Sequence, residues 1–236
     1  MKTLLLFLVP FSVFAQDKFK AEYERRYFIK IDGNTEQHRM MEEQFSKPVY
    51  IELLGDENQC SLKEYEKVKN SQGPAVTMQV MGMEKDLETY LDFTKNESLV
   101  SKELDGKLFL ISSTIPKNDW KLTRETKKIN GFDVKKAILE KNVIKHEVWY
   151  STQIKSKCGP DEAIGLPGLV LEYTRTHIEK PDNYSTYKLT NLVLDNSLKY
   201  NKPTKGKVFT EQEYKDYRAE FDKRLSESIQ QGIDRE

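Results

Sequence analysis

Short segments with alternating apolar and polar residues recur along this chain, and they follow one another too closely to leave room for crossover helices. In residues 18–31, apolar side chains occupy every second position apart from Arg25, and Asp32-Gly33-Asn34 then turns the chain. Other segments are separated by turn dipeptides such as Asp105-Gly106 and Asn130-Gly131. The sequence therefore predicts a mainly β protein with a curved, half-barrel-like antiparallel meander sheet. The other predicted strands are 48–54, 77–83, 88–93, 98–103, 106–112, 121–128, 133–140, 143–151, 169–176 and 184–194.

The C-terminal segment has a helical pattern instead. Residues 210–213 fit a capping box, in which Thr210 and Glu213 exchange hydrogen bonds, and Phe209 and Tyr214 are placed for a hydrophobic staple. We expect an amphipathic helix within 209–236 that packs on or caps the same domain; a lid over a groove and a docking helix are the alternatives. Its apolar stripe consists of Tyr214, Tyr217, Phe221, Leu225 and Ile229.

Residues 1–15 have the pattern of a secretory signal peptide, with one lysine, an apolar run too short to span a bilayer, and a small-residue cleavage site at Val13-x-Ala15. No cysteine follows that site, so a lipid anchor is not expected. Residues 16–208 are predicted to form the β domain, and no later segment is apolar enough for a membrane helix. The expected location is the periplasm or the outside of the cell.

The charge balance limits the classes of partner. The chain has 38 basic and 38 acidic residues, so no overall positive field recruits nucleic acid. The core is expected to depend on large aromatic side chains, and we expect both Trp120 and Trp149 to be largely buried and not exposed as a stacking surface.

Cys60 and Cys158 are the only cysteines. In an exported protein a structural disulfide is the first expectation for such a pair. Two unpaired thiols and metal ligation are the alternatives, because strands distant in sequence need not bring the two positions within bonding reach.

The sequence predicts no catalytic site and no cofactor. Three histidines, His38, His146 and His177, are widely separated and are expected to be solvated or half-buried. No nucleophile-elbow motif accompanies the serines. The one hint of a metal is Met78, Met81 and Met83, with His38, Met40 and Met41 as further candidates, because thioether sulfur suits Cu(I). Flexible methionines that fill an irregular core explain the same residues.

Two glycines frame a proline in Gly165-Leu166-Pro167-Gly168, directly before an apolar strand. Proline fixes its own φ and glycine admits positive φ, so we expect a tight turn with Gly168 at positive φ. These four residues are also the candidate contact with a ligand or a partner chain, because glycine lets the backbone approach closely.

This run resembles the signature of the GLPGLI family of exported Bacteroidota proteins, with Val170 where that signature has isoleucine. Supporting similarities lie at Trp120, Lys136-Ala137 and Gly159-Pro160, and at residues 125–132 and 148–151. The resemblance implies an exported, β-rich envelope protein without a known cofactor or activity.

The expected function is a non-enzymatic periplasmic or envelope binding or carrier protein. A curved sheet covered by a helix would present an apolar concave site to a lipid or a peptide-like ligand. The alternative is an envelope scaffold that docks an outer-membrane complex through an edge strand or the terminal helix. A methionine-rich Cu(I) chaperone ranks third and a hydrolase last, and the oligomeric state stays open.

Overall fold

Strands of a single open, curved sheet make up most of the computed structural model, which describes residues 18–67, 84–200 and 202–233. The sheet has twelve strands within these ranges, so the predicted fold class is confirmed. In chain order the elements are β1 (Phe19–Phe28), α1 (Glu36–Phe45), β2 (Val49–Gly55), β3 (Gln59–Tyr65), β4 (Glu84–Asp92), β5 (Glu97–Leu104), β6 (Lys107–Ser113), β7 (Lys121–Ile129), β8 (Phe132–Lys141), β9 (Ile144–Ser151), β10 (Leu169–His177), β11 (Tyr184–Leu194), β12 (Lys207–Thr210) and α2 (Glu211–Ile233).

The spatial strand order is β12-β6-β5-β4-β3-β2-β1-β11-β10-β9-β8-β7. Two antiparallel meanders, β2 to β6 and β7 to β11, therefore lie on either side of β1. Strand β1 pairs antiparallel with both β2 and β11. The only parallel pair among the described strands is that of β12 with β6. The N-terminal strand thus joins the two halves of the sheet.

Three elements were absent from the sequence prediction. Strand β3 has only Cys60 and Leu62 as apolar residues before Lys63 and Glu64, and β12 is four residues long. Helix α1 is capped by Thr35, whose side chain accepts a hydrogen bond from the amide of His38, and none of the helix residues is buried. The predicted strand 77–83 lies outside the described residues.

The main core lies on the face of the sheet that carries Ala21 and Tyr23, here called the inner face. Residues 152–168, here called the covering loop, lie on this face and bury Ile154, Ile164 and Leu166 in the core. The Tyr23 hydroxyl donates to the carbonyl oxygen of Val170 at 2.8 Å, which joins β1 to the start of β10. The core thus consists of one sheet face and the loop that covers it.

Helix α2 covers the β6–β12 end of the sheet. The predicted capping box is present, because the Glu213 amide donates to the Thr210 hydroxyl at 3.2 Å and the Thr210 amide donates to the Glu213 carboxylate at 2.7 Å. Tyr214 and Tyr217 pack against Phe109 and Phe209, with ring centres 5.0–6.2 Å apart. Tyr214, Tyr217 and Phe221 of the predicted stripe therefore face the sheet.

Cys60 and Cys158 form a disulfide, as expected, with their Cα atoms 6.4 Å apart. The bond joins β3 to the covering loop across a sequence separation of 98 residues. Next to it, the Lys157 amide donates to the Glu57 carbonyl oxygen at 2.8 Å. The disulfide thus holds the covering loop to the first meander.

Replacement of both cysteines, Cys60→Ala with Cys158→Ala, should lower the free energy of unfolding by about 3–5 kcal/mol, because the unfolded chain regains the entropy of a loop of about 100 residues. Denaturant unfolding with and without dithiothreitol measures this change. Reductant should destabilise the wild type and leave the double variant unchanged. Equal stability of the wild type and the double variant would contradict the prediction.

Candidate functional site

A groove of about 280 Å³ opens on the inner face beside the covering loop. Its lining includes Ile51, Leu62 and Leu91 from β2, β3 and β4, and Ile164 from the covering loop. These four side chains are apolar and buried. The charged members of the lining are Arg25, Lys63, Glu64, Asp86, Glu88, Asp161 and Glu162.

One end of the groove is formed by Arg25, the residue that interrupts the apolar alternation of β1. Its guanidinium pairs with the carboxylate of Glu64 on β3 and lies 4.9 Å from the ring centre of Tyr27. Arg25 is opposite Tyr187 in the β1–β11 register. The break in the sequence pattern therefore marks where the inner face changes from core to polar site.

Asp161 and Glu162 form the loop side of the groove, and the sheet holds both through Arg175 on β10. The Asp161 carboxylate accepts hydrogen bonds from the Arg175 guanidinium and the Tyr187 hydroxyl, both at 2.9 Å. The Glu162 carboxylate lies 3.4 Å from the second guanidinium nitrogen. Because hydrogen bonds to charged groups are stronger than neutral ones, this cluster fixes the loop side of the groove.

His146 on β9 lies behind Glu162 and is only 1% exposed, so the expectation of a solvated or half-buried histidine is wrong for this residue. Its Nδ1 is 2.7 Å from the Tyr173 hydroxyl, and its Nε2 is 3.7 Å from the Glu162 carboxylate. Burial lowers the pKa of His146, which favours the neutral ring. Tyr173 is equally buried, and desolvation raises the pKa of its hydroxyl. The pair therefore supports the loop from beneath and is closed to a ligand.

The pH dependence of stability should report His146. The unfolded chain binds a proton near pH 6.5 that the folded protein resists, so stability should fall as the pH decreases from 7.5 to 5.5, by at most about 1.4 kcal/mol per pH unit. Denaturant unfolding at several pH values measures the slope. His146→Gln should flatten this slope. Because His38 and His177 are present in both proteins, the difference between the two slopes reports His146 alone. Parallel curves for the two proteins would exclude His146 as the source.

The turn Gly165-Leu166-Pro167-Gly168 differs from the prediction in one respect. Positive φ occurs at Gly165, at 83°, and not at Gly168. A Cβ atom on Gly168 would instead lie 2.1 Å from the carbonyl oxygen of Ser151, so glycine is required there by close backbone packing. Leu166 is buried in the core, and none of the four residues lines the groove. Their role as a ligand or partner contact stays a prediction.

Gly168→Ala should lower the free energy of unfolding by more than about 3 kcal/mol, because a backbone oxygen cannot move aside without disturbing the β9–β10 pairing. Gly165→Ala should cost only about 1–2 kcal/mol, the price of positive φ in open space. Thermal and denaturant unfolding of the two variants test this order. The reverse order would show that backbone conformation, not packing, requires the second glycine.

The two tryptophans are half-buried and both pack against the main core, in agreement with the expectation that they are largely buried. Trp120 packs against the core and donates its indole N–H to the carbonyl oxygen of Ile164 at 2.8 Å, which fixes the covering loop. Trp149 shares a face with its cross-strand partners Lys136 and Glu172. The Lys127 ammonium lies 4.4 Å from its ring centre.

The candidate copper ligands Met78, Met81 and Met83 lie outside the described residues. Within the described ranges, no group of three or more His, Cys, Asp or Glu side chains is placed to hold a metal ion. Met40 and Met41 are exposed on α1. Among all the described residues, no helix is both long enough and apolar enough to cross a membrane.

The chain is a β-rich domain. Its open sheet is covered by a loop and a helix of the same chain, and a charged groove lies beside the loop. The profile of the family described as "N-glycanase peptide, N-terminal domain" matches residues 62–216, and the chain belongs to this family. A comparison with curated proteins found no match.

Two solved structures of PNGF-II are similar to this chain. In the C2 crystal form the identity is 22%, with a TM-score of 0.57 over 86% of this chain and 32% of that chain. In the P21 form the identity is 23%, with a TM-score of 0.54 over 86% of this chain and 33% of that one. This chain thus spans about a third of the length of PNGF-II, and the likeness shows the fold. A LolA superfamily protein from Nitrosomonas europaea reaches a TM-score of only 0.34, at 9% identity over 78% of this chain and 88% of that one, which is too low to carry an argument.

The resemblance to the GLPGLI family is wrong, because both the family match and these structures place the chain elsewhere. The residues that suggested it have local explanations. Gly165 supplies a positive φ, Gly168 permits close backbone packing, and Leu166 inserts into the core. Any loop that covers a sheet face needs such residues, so their presence does not identify a family.

Proposed function

We propose that this chain is an exported, non-enzymatic binding module that holds an extended, peptide-like ligand in the groove beside the covering loop. The observation that carries the proposal is the composition of the groove, with apolar side chains from three strands and charged groups along its sides. An extended peptide presents alternating side chains and a polar backbone, so it can use both kinds of surface. Protein ligand sites commonly combine an apolar lining with a few placed polar groups.

The composition of the groove favours a peptide over an acyl chain. Ile164 and Leu166 of the covering loop already fill the inner face where a lipid would otherwise lie. Seven charged residues line the remaining space, and an acyl chain there would desolvate charges without replacing their hydrogen bonds. We therefore propose the peptide-like ligand and not the lipid.

A binding role is also more consistent with the groove than catalysis. Its described lining contains no histidine or cysteine, and Glu64, Asp161 and Glu162 are engaged in ion pairs. The family description names an N-glycanase, and this chain corresponds to about a third of PNGF-II. For this chain we propose recognition of a polypeptide, not glycan cleavage, in the periplasm or outside the cell.

The scaffold alternative is less well supported. The aromatic stripe of α2 that could dock a partner is packed against Phe109 and Phe209 of the same domain. Of the two edge strands, β12 offers four residues, and β7 offers nine but is rich in exposed charged side chains, which disfavour pairing with a further strand. We therefore place the binding surface on the inner face and not on the terminal helix.

Fluorescence anisotropy with a pool of fluorescein-labelled octapeptides of mixed sequence tests the proposal, with a fluorescent C16 fatty acid as the competing probe. Peptides should bind saturably and the fatty acid should not. Thr89→Trp places an indole in the groove and should weaken peptide binding by at least about tenfold, since it blocks contacts worth a few kcal/mol.

Thr174→Trp is the matched control, because Thr174 is also half-buried but lies on the opposite face of the sheet. It should leave binding unchanged. Binding of the fatty acid alone, or loss of peptide binding only in Thr174→Trp, would contradict the proposal.

A further inference from the structure

Arg25, at one end of the groove, uses only part of its hydrogen-bonding capacity. A guanidinium has five N–H donors. Among the described residues, the only acceptor bonded to Arg25 is the carboxylate of Glu64, which pairs with Nη2. The Nε atom of Arg25 is buried without a hydrogen-bond partner, and the side chain as a whole is 16% exposed. Folded proteins leave few buried donors unpaired because each one costs stability, so this arginine is short of an acceptor.

The groups around Arg25 do not supply that acceptor. The Tyr27 ring centre lies 4.9 Å from the guanidinium carbon and offers only its π face. The Asp161 carboxylate already accepts from Arg175. Glu64 is 46% exposed and bonds only one of the three guanidinium nitrogens. Because Arg25 lines the groove, a ligand bound there can supply the acceptor.

The charge of the groove favours an uncharged acceptor. Its described lining contains five carboxylates and only two cationic side chains. A further carboxylate from a ligand would add to this negative field, whereas a main-chain carbonyl adds no charge. An extended peptide offers such a carbonyl at every residue. The unused donors of Arg25 are therefore suited to the backbone of a peptide and do not depend on its sequence.

The floor beside Arg25 is apolar. The registers of β1 to β4 place Ile51, Leu62 and Leu91 on the same face as Arg25, since paired and alternate residues of a sheet share a face. Each of these three side chains is 5–9% exposed. By the same registers Lys63 lies on the opposite face, where its ammonium is 3.1 Å from the carboxylate of Glu52. A charged side chain on this floor would be desolvated, so an apolar one is favoured.

We propose that the groove binds an extended peptide through an aliphatic side chain, which packs on Ile51, Leu62 and Leu91, and through a neighbouring main-chain carbonyl, which accepts from Arg25. This inference rests on the proposed peptide-binding function and specifies the class of peptide. Arg25 contributes to the affinity for every peptide, and the floor selects the side chain.

The first test compares two fluorescein-labelled octapeptides that are identical except at one central position, which is leucine in one and asparagine in the other. The two side chains are similar in size, but only leucine is apolar. The leucine peptide should bind at least about tenfold more tightly, because burial of its side chain on the floor is favourable. Thr89→Asp should reduce this preference to within about twofold, since Thr89 is opposite Leu62 and a carboxylate there makes the floor polar.

Thr174→Asp is the matched control, because Thr174 is also half-buried but lies on the opposite face of the sheet. It should keep the preference for leucine. An equal loss of preference in both variants would overturn the inference. Equal binding of the two peptides to the wild type would also overturn it while leaving the proposed function intact. If neither peptide binds, the proposed function itself fails.

The second test concerns Arg25. Glu64→Gln removes the carboxylate that competes with the ligand for the guanidinium, so both peptides should bind about two- to fivefold more tightly. Arg25→Met in the Glu64→Gln background removes the donors without leaving a carboxylate unpaired. Relative to Glu64→Gln it should weaken both peptides by about tenfold and keep the preference for leucine.

Denaturant unfolding verifies that both of these variants are folded. Weaker binding in Glu64→Gln would show that the pair of Arg25 with Glu64 only maintains the shape of the groove, and would overturn the role given to Arg25. Unchanged binding after Arg25→Met would overturn it as well.

Discussion

The described residues form one open sheet without a second sheet packed on it, so other segments of the same chain must cover its apolar face. Here the covering loop and α2 share that task from opposite ends. The loop lies over the strands around β1 and β9 to β11, and the helix lies over β6 and β12. The groove opens over β2 to β4, which neither element fully covers. The site is thus the gap left between two coverings, and the disulfide to β3 fixes the loop side of that gap.

The electrostatics of the inner face follow from the same arrangement. A loop that covers a core brings polar groups of its own, and these need partners. Asp161 and Glu162 find theirs in Arg175, and Asp161 also accepts from the Tyr187 hydroxyl. Arg25 continues this polar row to Glu64 on the far side of β2. The row holds the loop in place and at the same time gives the groove its charged lining, so structure and recognition depend on the same ion pairs.

The sequence predicted most of the sheet, because alternating burial along a strand is a local property. It did not predict β3, whose apolar side chains are too few, or α1, which buries nothing. The candidate site was also beyond local reasoning, since Arg25, Glu64 and Asp161 come together in one groove only through the pairing of strands that are distant in sequence. The break in alternation at Arg25 was the one visible signal. For Gly168 the required residue was identified but the reason was not, because close contact with Ser151 depends on tertiary structure.

The position of β1 between β2 and β11 also shapes how the domain can fold. Phe19 is opposite Leu194 in the register, and the Tyr23 hydroxyl bonds to a residue 147 positions later in the chain. Each meander can form its hairpins from local contacts. The two halves become one sheet only when β1 pairs with both β2 and β11. Contacts of such long range slow folding, since the entropy of loop closure is lost before the contact is made. Strand β1 therefore completes the sheet between the two meanders, and a chain that lacked it would expose the unpaired edges of β2 and β11.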